Sequence, residues 1–241
     1  MSREVLLPLL MGAVGATGLL WASLRLRRRQ RLLRDLPTSR AQGVFIGLVE
    51  LHGTAEAARP LHSYLAAKSC VHYDWQIEEH WTRLVTETHT GKDGRSRTRT
   101  RQQSGWSTVA KGGETAPFFL RDETGAVLIN PTGAKIESSP IFDEVIGRSH
   151  PLYYEKGPPQ AVAGSSHRRR CRERAILLHA PLYVVGTARE RADVVAPEVA
   201  HAKGAELFLI STRGEAKVLT GYAIGSWCCW AWAWPRRWPA Q

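Results

Sequence analysis

Apolar and polar positions divide the chain into three kinds of stretch. The first, Val5 to Leu24 (VLLPLLMGAVGATGLLWASL), runs for twenty residues without a charge. A helix of that length is about 30 Å long, which matches the hydrocarbon thickness of a bilayer. A surface helix of a soluble protein would carry a polar stripe, and this one has none. Arg25, Arg27, Arg28, Arg29, Arg31 and Arg34 follow at once. Such a block halts transfer and marks its own side as cytoplasmic. A cleaved signal peptide fits less well, because arginines occupy the place of a small-residue cleavage site.

The second kind of stretch alternates. Asp35 to Gln42 reads as a polar linker. From Gly43 the apolar positions Val44, Ile46, Leu48, Val49 and Leu51 predict a strand ended by Gly53. Cys70 to Trp81 sets Val71, Tyr73, Trp75 and Ile77 against His72, Asp74, Gln76 and Glu78, which predicts a strand with one buried face. Thr82 to Gln103 predicts a strand, a G-K-D-G turn and a returning strand. Phe118 to Asp122 and Ala126 to Asn130 predict two more strands around a tight turn. In that turn Asp122, Thr124 and Gly125 are the structural residues: Asp for local hydrogen bonds, Gly for a positive φ. Residues 138–174 look irregular. Two short strands flank His179-Ala180-Pro181, and Glu206 to Ser211 is the last strand. The third kind of stretch is Val218 to Trp234, apolar but short for a span and loaded with tryptophan, a residue of membrane interfaces. It reads either as a short second span or as an interfacial segment.

Charge sharpens this division. The net charge of +11 is concentrated in residues 1–34, 92–101 and 167–174, and the rest of the chain is slightly acidic. The pI therefore does not describe a generally nucleic-acid-coating surface, and nucleic acid is an unfavoured partner. Arg95, Arg97, Arg99 and Arg101 in the hairpin and Arg168, Arg169 and Arg170 further on form a candidate basic surface. Two readings of the hairpin stand: a solvated edge that discourages strand pairing, or a contact with phosphates or anionic lipid.

Catalytic chemistry finds little footing. Cys70, Cys171, Cys228 and Cys229 form no C-x-x-C pair, and Cys70 reads as a buried, inert thiol. On a cytoplasmic domain the thiols are expected to be free. His72, Glu78 and His80 share a parity but lie too far apart on a strand to hold one metal. Ser149-His150 and Ser166-His167 are neighbours in sequence, which is not the mark of a triad. No catalytic residue, cofactor or metal is expected.

Several segments carry a resemblance. Pro60-Leu61, Lys68 to Tyr73, Phe118 to Asp122 with Thr124-Gly125, Val127 to Pro131, Ala134-Lys135-Ile136, Glu173 to Gly186 and Phe208 to Ser211 resemble, in order, the GIDE or BAM (beside-a-membrane) domain of mitochondrial membrane-anchored ubiquitin ligases. The resemblance implies a domain placed between two membrane segments. In those ligases a RING after the second span recruits the conjugating enzyme, and this sequence shows no RING ligand array. In the relatives the domain lies between two membranes. Here the arginine block predicts a cytoplasmic domain.

The expected architecture is thus a mainly β (α+β) soluble domain on an N-terminal transmembrane helix, with a possible second short C-terminal membrane segment. Residues 1–34 are the anchor and basic block, 35–42 the linker, 43–217 the β-rich domain and 218–241 the second apolar segment. The expected function is a membrane-anchored interaction module, with the bilayer, an unidentified protein and anionic lipid as partners. The alternative is a ligase-type protein served by a RING in trans, and a weaker one is binding of anionic lipid or nucleic acid by the arginine clusters.

Overall fold

The computed structural model describes residues 36–90, 96–191, 193–202 and 207–214, with eight helical positions between Val14 and Arg25. Most of the expected span, the arginine block beyond Arg25, Arg95 and the stretch 218–241 lie outside the described residues. Among the described residues no helix is long and apolar enough to cross a membrane. The described chain is mainly β, as expected.

In chain order the strands are β1 (Thr38–Ser39), β2 (Gly47–Glu56), β3 (Leu61–His62), β4 (Ser69–Thr90), β5 (Ser96–Thr115), β6 (Phe118–Arg121), β7 (Ala126–Ile129), β8 (Lys135–Glu137), β9 (Ser139–Gly147), β10 (Ser165–Leu177), β11 (Pro181–Glu190), β12 (Pro197–Ala200) and β13 (Leu209–Ser211). The described chain divides into two compact units. One takes the described residues from Leu36 to Ala55, Phe118–Glu137 and those from Pro181 to Gly214. The other takes Glu56–Pro117 and Ser138–Ala180.

In the first unit five strands close into a ring. β2 pairs β6, β6 pairs β7, β7 pairs β12, β12 pairs β11, and β11 returns to β2. Strand side chains alternate between faces, so one set points into the ring. That set is apolar: Val49 and Leu51 of β2, Leu120 of β6, Val127 and Ile129 of β7, Val184 of β11 and Val199 of β12 are all buried. β11 reaches three neighbours because its far edge is shared, β13 taking Tyr183 to Val185 and β12 taking Thr187 to Glu190. The opposite parity is also covered locally, where Tyr183, Val185, Leu207 and Leu209 form a second cluster with Leu36 and Leu48 against it. Residues 38–43, read as mostly linker, belong to this unit. Thr38 and Ser39 pair in parallel with Glu50 and Leu51, and Ala41 is buried in a 3₁₀ turn (Ala41–Gly43).

The second unit is a sheet in which β4 is central. β10 lies on one edge of it and β5 and β3 on the other, with β9 outside β10. The alternation of Cys70 to Trp81 is realised, with Val71, Ile77 and Glu79 buried on one face. Leu65, Ile77, Ile146, Tyr153 and Cys171 pack there. Residues 138–174 are regular after all: β9, a one-turn helix (Leu152–Glu155) and the first ten residues of β10 occupy them. Past Trp81, which faces Ser165 of β10, β4 pairs with β5 alone. The amide of Thr82 still donates to Gly164 O at 2.8 Å, and the eight pairs beyond it form a bare two-stranded arm about 26 Å long.

Barrel closure makes a demand of sequence at Gly53. A Cβ at Gly53 would stand 2.4 Å from the carbonyl oxygen of Arg121 and 3.1 Å from Leu120 Cγ. β2 and β6 meet there only because residue 53 has no side chain. Gly53→Ala is expected to cost about 1–3 kcal/mol by overpacking. Gly43→Ala, where an added Cβ meets nothing within 4 Å, serves as the control. Denaturant unfolding of the two variants checks the difference.

Candidate functional site

The turn between β6 and β7 is built around one carboxylate. Asp122 Oδ1 accepts from Thr124 N (2.7 Å), Thr124 Oγ1 (2.7 Å) and Gly125 N (2.9 Å). Its other oxygen accepts from Ala41 N at 2.7 Å, and Gln42 N donates to Thr124 Oγ1 at 3.2 Å. The turn therefore latches the segment that follows the arginine block onto the barrel. Partial burial would raise the Asp122 pKa, but hydrogen bonds from Ala41, Thr124 and Gly125 outweigh it and bring it down to about 2. Gly125 departs from expectation. Its φ is not positive, and an added Cβ would meet Gln42 Cβ at an ordinary 3.7 Å. The turn depends on the Asp122 carboxylate and not on glycine's left-handed freedom. A cleft of about 610 Å³ opens beside the turn, lined by Arg40, His52, Arg121 and Glu123 among others. With Asp122 in the same lining, its acids and arginines balance, so the cleft has no marked charge preference.

Arg168, Arg169 and Arg170 do not form one basic surface. Arg168 is exposed and Arg170 is half-buried, its guanidinium 4.4 Å from the Trp106 ring centroid. Arg169 is only 1% exposed, which corrects its reading as a surface residue. The inward parity of β10 is Arg169, Cys171, Glu173 and Ala175, so strand alternation carries this charge into the core. Glu79, fully buried, receives Arg169 Nε at 3.2 Å and Nη2 at 3.1 Å. Arg169 also donates to the carbonyls of Tyr153 (2.6 Å) and Pro158 (2.9 Å) and lies over the Tyr153 ring. Ser165 Oγ and Tyr153 OH donate to the other oxygen of Glu79. A second buried acid, Glu173, accepts from Leu65 N (2.9 Å) and Ala66 N (2.8 Å). Neither Glu79 nor Glu173 stood out in the sequence, because a buried acid is signalled only by strand parity.

The arm keeps its arginines outside. Arg83, Arg99 and Arg101 are exposed, and Arg83 stacks over Trp81 at 4.3 Å. The side chain of Arg97 lies outside the described residues, though its backbone pairs with His89.

Elsewhere the polar groups serve architecture. Cys70 and Cys171 are free and buried. Burial, then the nearby Glu173, pushes the Cys70 thiol up to about 11, and burial does the same for Cys171. Neither is a thiolate nucleophile at neutral pH. His80 Nδ1 meets Ser166 Oγ at 2.8 Å, while His72 Nδ1 meets Thr115 Oγ1 at 2.7 Å. In the Ser165, His167 and Glu79 cluster the acid contacts the serine and not the histidine. That order is the reverse of a triad, in which the acid orients the histidine.

A closed barrel and an arm-bearing sheet, the sheet's buried acids Glu79 and Glu173 tied to arginine and backbone, define a β-rich module. The chain belongs to the GIDE family, whose model, described as E3 ubiquitin ligase, matches residues 86–233. No curated protein and no solved structure matches it. The matched span begins inside the arm, so Pro60 to Tyr73, which also resemble the family, precede it.

Two outcomes follow from this geometry. Arg169→Ala strands the Glu79 carboxylate in the core and is expected to cost about 3–5 kcal/mol, whereas Glu79→Leu with Arg169→Met recovers most of that loss. Thermal unfolding of the single and double variants checks this. Asp122 is ionised in both states above its ordinary value of 3.8, where its full contribution to stability is present. As pH falls from there through about 2, that contribution is lost. Because the carboxylate is partly exposed, the effect is about 1 kcal/mol. The stability gap between wild type and Asp122→Asn is therefore expected to hold constant above pH 5 or so and to close in acid, as read by unfolding at a series of pH values.

Proposed function

We propose that this chain is a membrane-anchored GIDE module that binds a protein partner at the bilayer and has no transferase chemistry of its own. One observation supports the anchor above all. Val14, Leu20, Trp21 and Leu24 are helical and present apolar side chains outward, with exposures of 49–73%. Apolar side chains facing outward on a helix belong in lipid. The charge-free run around them and the arginines after it support the same anchor and a cytoplasmic side for the β-rich units. The contact function draws on the exposed surfaces of the two units, the arm and the cleft beside the Asp122 turn among them.

A second reading follows from the description of the matched family: the module works within a ubiquitin ligase, with a RING supplied in trans. Both readings are tested on the full chain. After alkaline carbonate extraction it is expected in the membrane pellet, and release to the supernatant would refute the anchor. Mixed with ubiquitin-activating and conjugating enzymes alone, it is expected to form no chains. Chain formation under those conditions would refute the non-catalytic role.

A further inference from the structure

The arm is the part of the second unit that architecture does not account for. Residues directly opposite in an antiparallel ribbon share a face. Arg83, Val85 and Glu87 of β4 therefore lie on the same face as Gln103, Arg101 and Arg99 of β5. The other face holds Thr82, Leu84 and Thr86 with Ser104, Gln102 and Thr100. Thr86 Oγ1 and Thr100 Oγ1, 3.5 Å apart, fit that parity. Every charge on the described side chains of the arm is thus on one face, three arginines against Glu87. A ribbon that served only to resist edge pairing would have no reason to sort its charges by face. At the root of the same face Arg83 covers the Trp81 ring, the pairing of aromatic and cation found where protein meets lipid headgroups. A two-stranded ribbon is also marginal in water by itself and gains order from a surface to lie on.

We infer that the arginine face of the arm lies on an anionic bilayer surface and binds the phosphate and carboxylate groups of its lipids. This rests on the anchored reading above. A nucleic acid offers similar phosphates, but a few arginines hold only weakly a partner that must arrive from solution. A bilayer to which the same chain is tethered is always present at high effective concentration, so weak contacts suffice.

The test uses the full chain reconstituted into lipid discs, either of phosphatidylcholine alone or of phosphatidylcholine with phosphatidylserine, with amide hydrogen exchange followed across residues 82–104. Exchange in the arm is expected to slow on the order of tenfold in the anionic discs. High salt should reverse the slowing, and Arg83→Gln/Arg99→Gln/Arg101→Gln should abolish it at unchanged melting temperature. Equal exchange in both discs would overturn the proposal and leave the anchor standing. Equal slowing in both, or slowing that survives the triple variant, would overturn it as well, since the contact would not be electrostatic. Failure of the chain to co-purify with either disc would instead refute the anchored reading. A salt-sensitive shift of a nucleic-acid probe, lost in the triple variant and without any slowing on anionic discs, would reassign the face to nucleic acid.

Discussion

The buried Arg169–Glu79 pair is the constraint around which the second unit is arranged. Burying either ion alone is prohibitive, so each needs a full set of partners. Arg169 finds them on three segments: Glu79 on β4, the carbonyl of Tyr153 in the one-turn helix and that of Pro158 beyond it. Glu79 completes its own set with Ser165 and Tyr153. The pair therefore fixes where the connection between β9 and β10 lies against the sheet, a task apolar packing would perform less specifically. Glu173 does the same at the other end of β10, holding the loop at Leu65 and Ala66 by two backbone amides.

The same pair explains where the sequence could be read and where it could not. β4 was legible because its inward parity is mostly apolar, with Val71, Tyr73, Trp75 and Ile77 in order. β10 has the same period of two, but Arg169 and Glu173 occupy inward positions among small residues. A pattern search tuned to apolar residues sees noise there and reads the arginines as surface. The strands around Asp122 were legible for a local reason, since Asp and Gly close together between apolar runs mark a turn. The hold of that turn on Ala41, eighty-one residues earlier, leaves no local trace. It also explains why a polar, proline-containing segment that reads as a linker is fixed in place.

Glycine shows the limit of residue-type rules. Gly125 suits a turn by composition yet needs no special φ. Gly53, which reads only as a strand terminator, sits inside β2 and is required by close approach of Arg121. The difference lies in long-range packing: one glycine faces a side chain at ordinary distance, the other a backbone carbonyl of the neighbouring strand β6.

The span matched by the family model bears on how large the folding unit is. It starts at residue 86, within β4. Among the described residues β5 pairs only with β4, and β10 depends on β4 for one of its two edges and for Glu79. The barrel likewise closes only through β2, which comes earlier still. A fragment confined to the matched span would leave Arg169 in the core without its acid and β11 without β2, one of its three neighbours. The chain passes between the two units at residues 55–56, 117–118, 137–138 and 180–181, so neither is continuous in sequence. Contacts of such wide separation carry a large loop-closure cost. The early strands are thus integral to both units of this protein, and the barrel unit extends back at least to Thr38, where β1 joins β2.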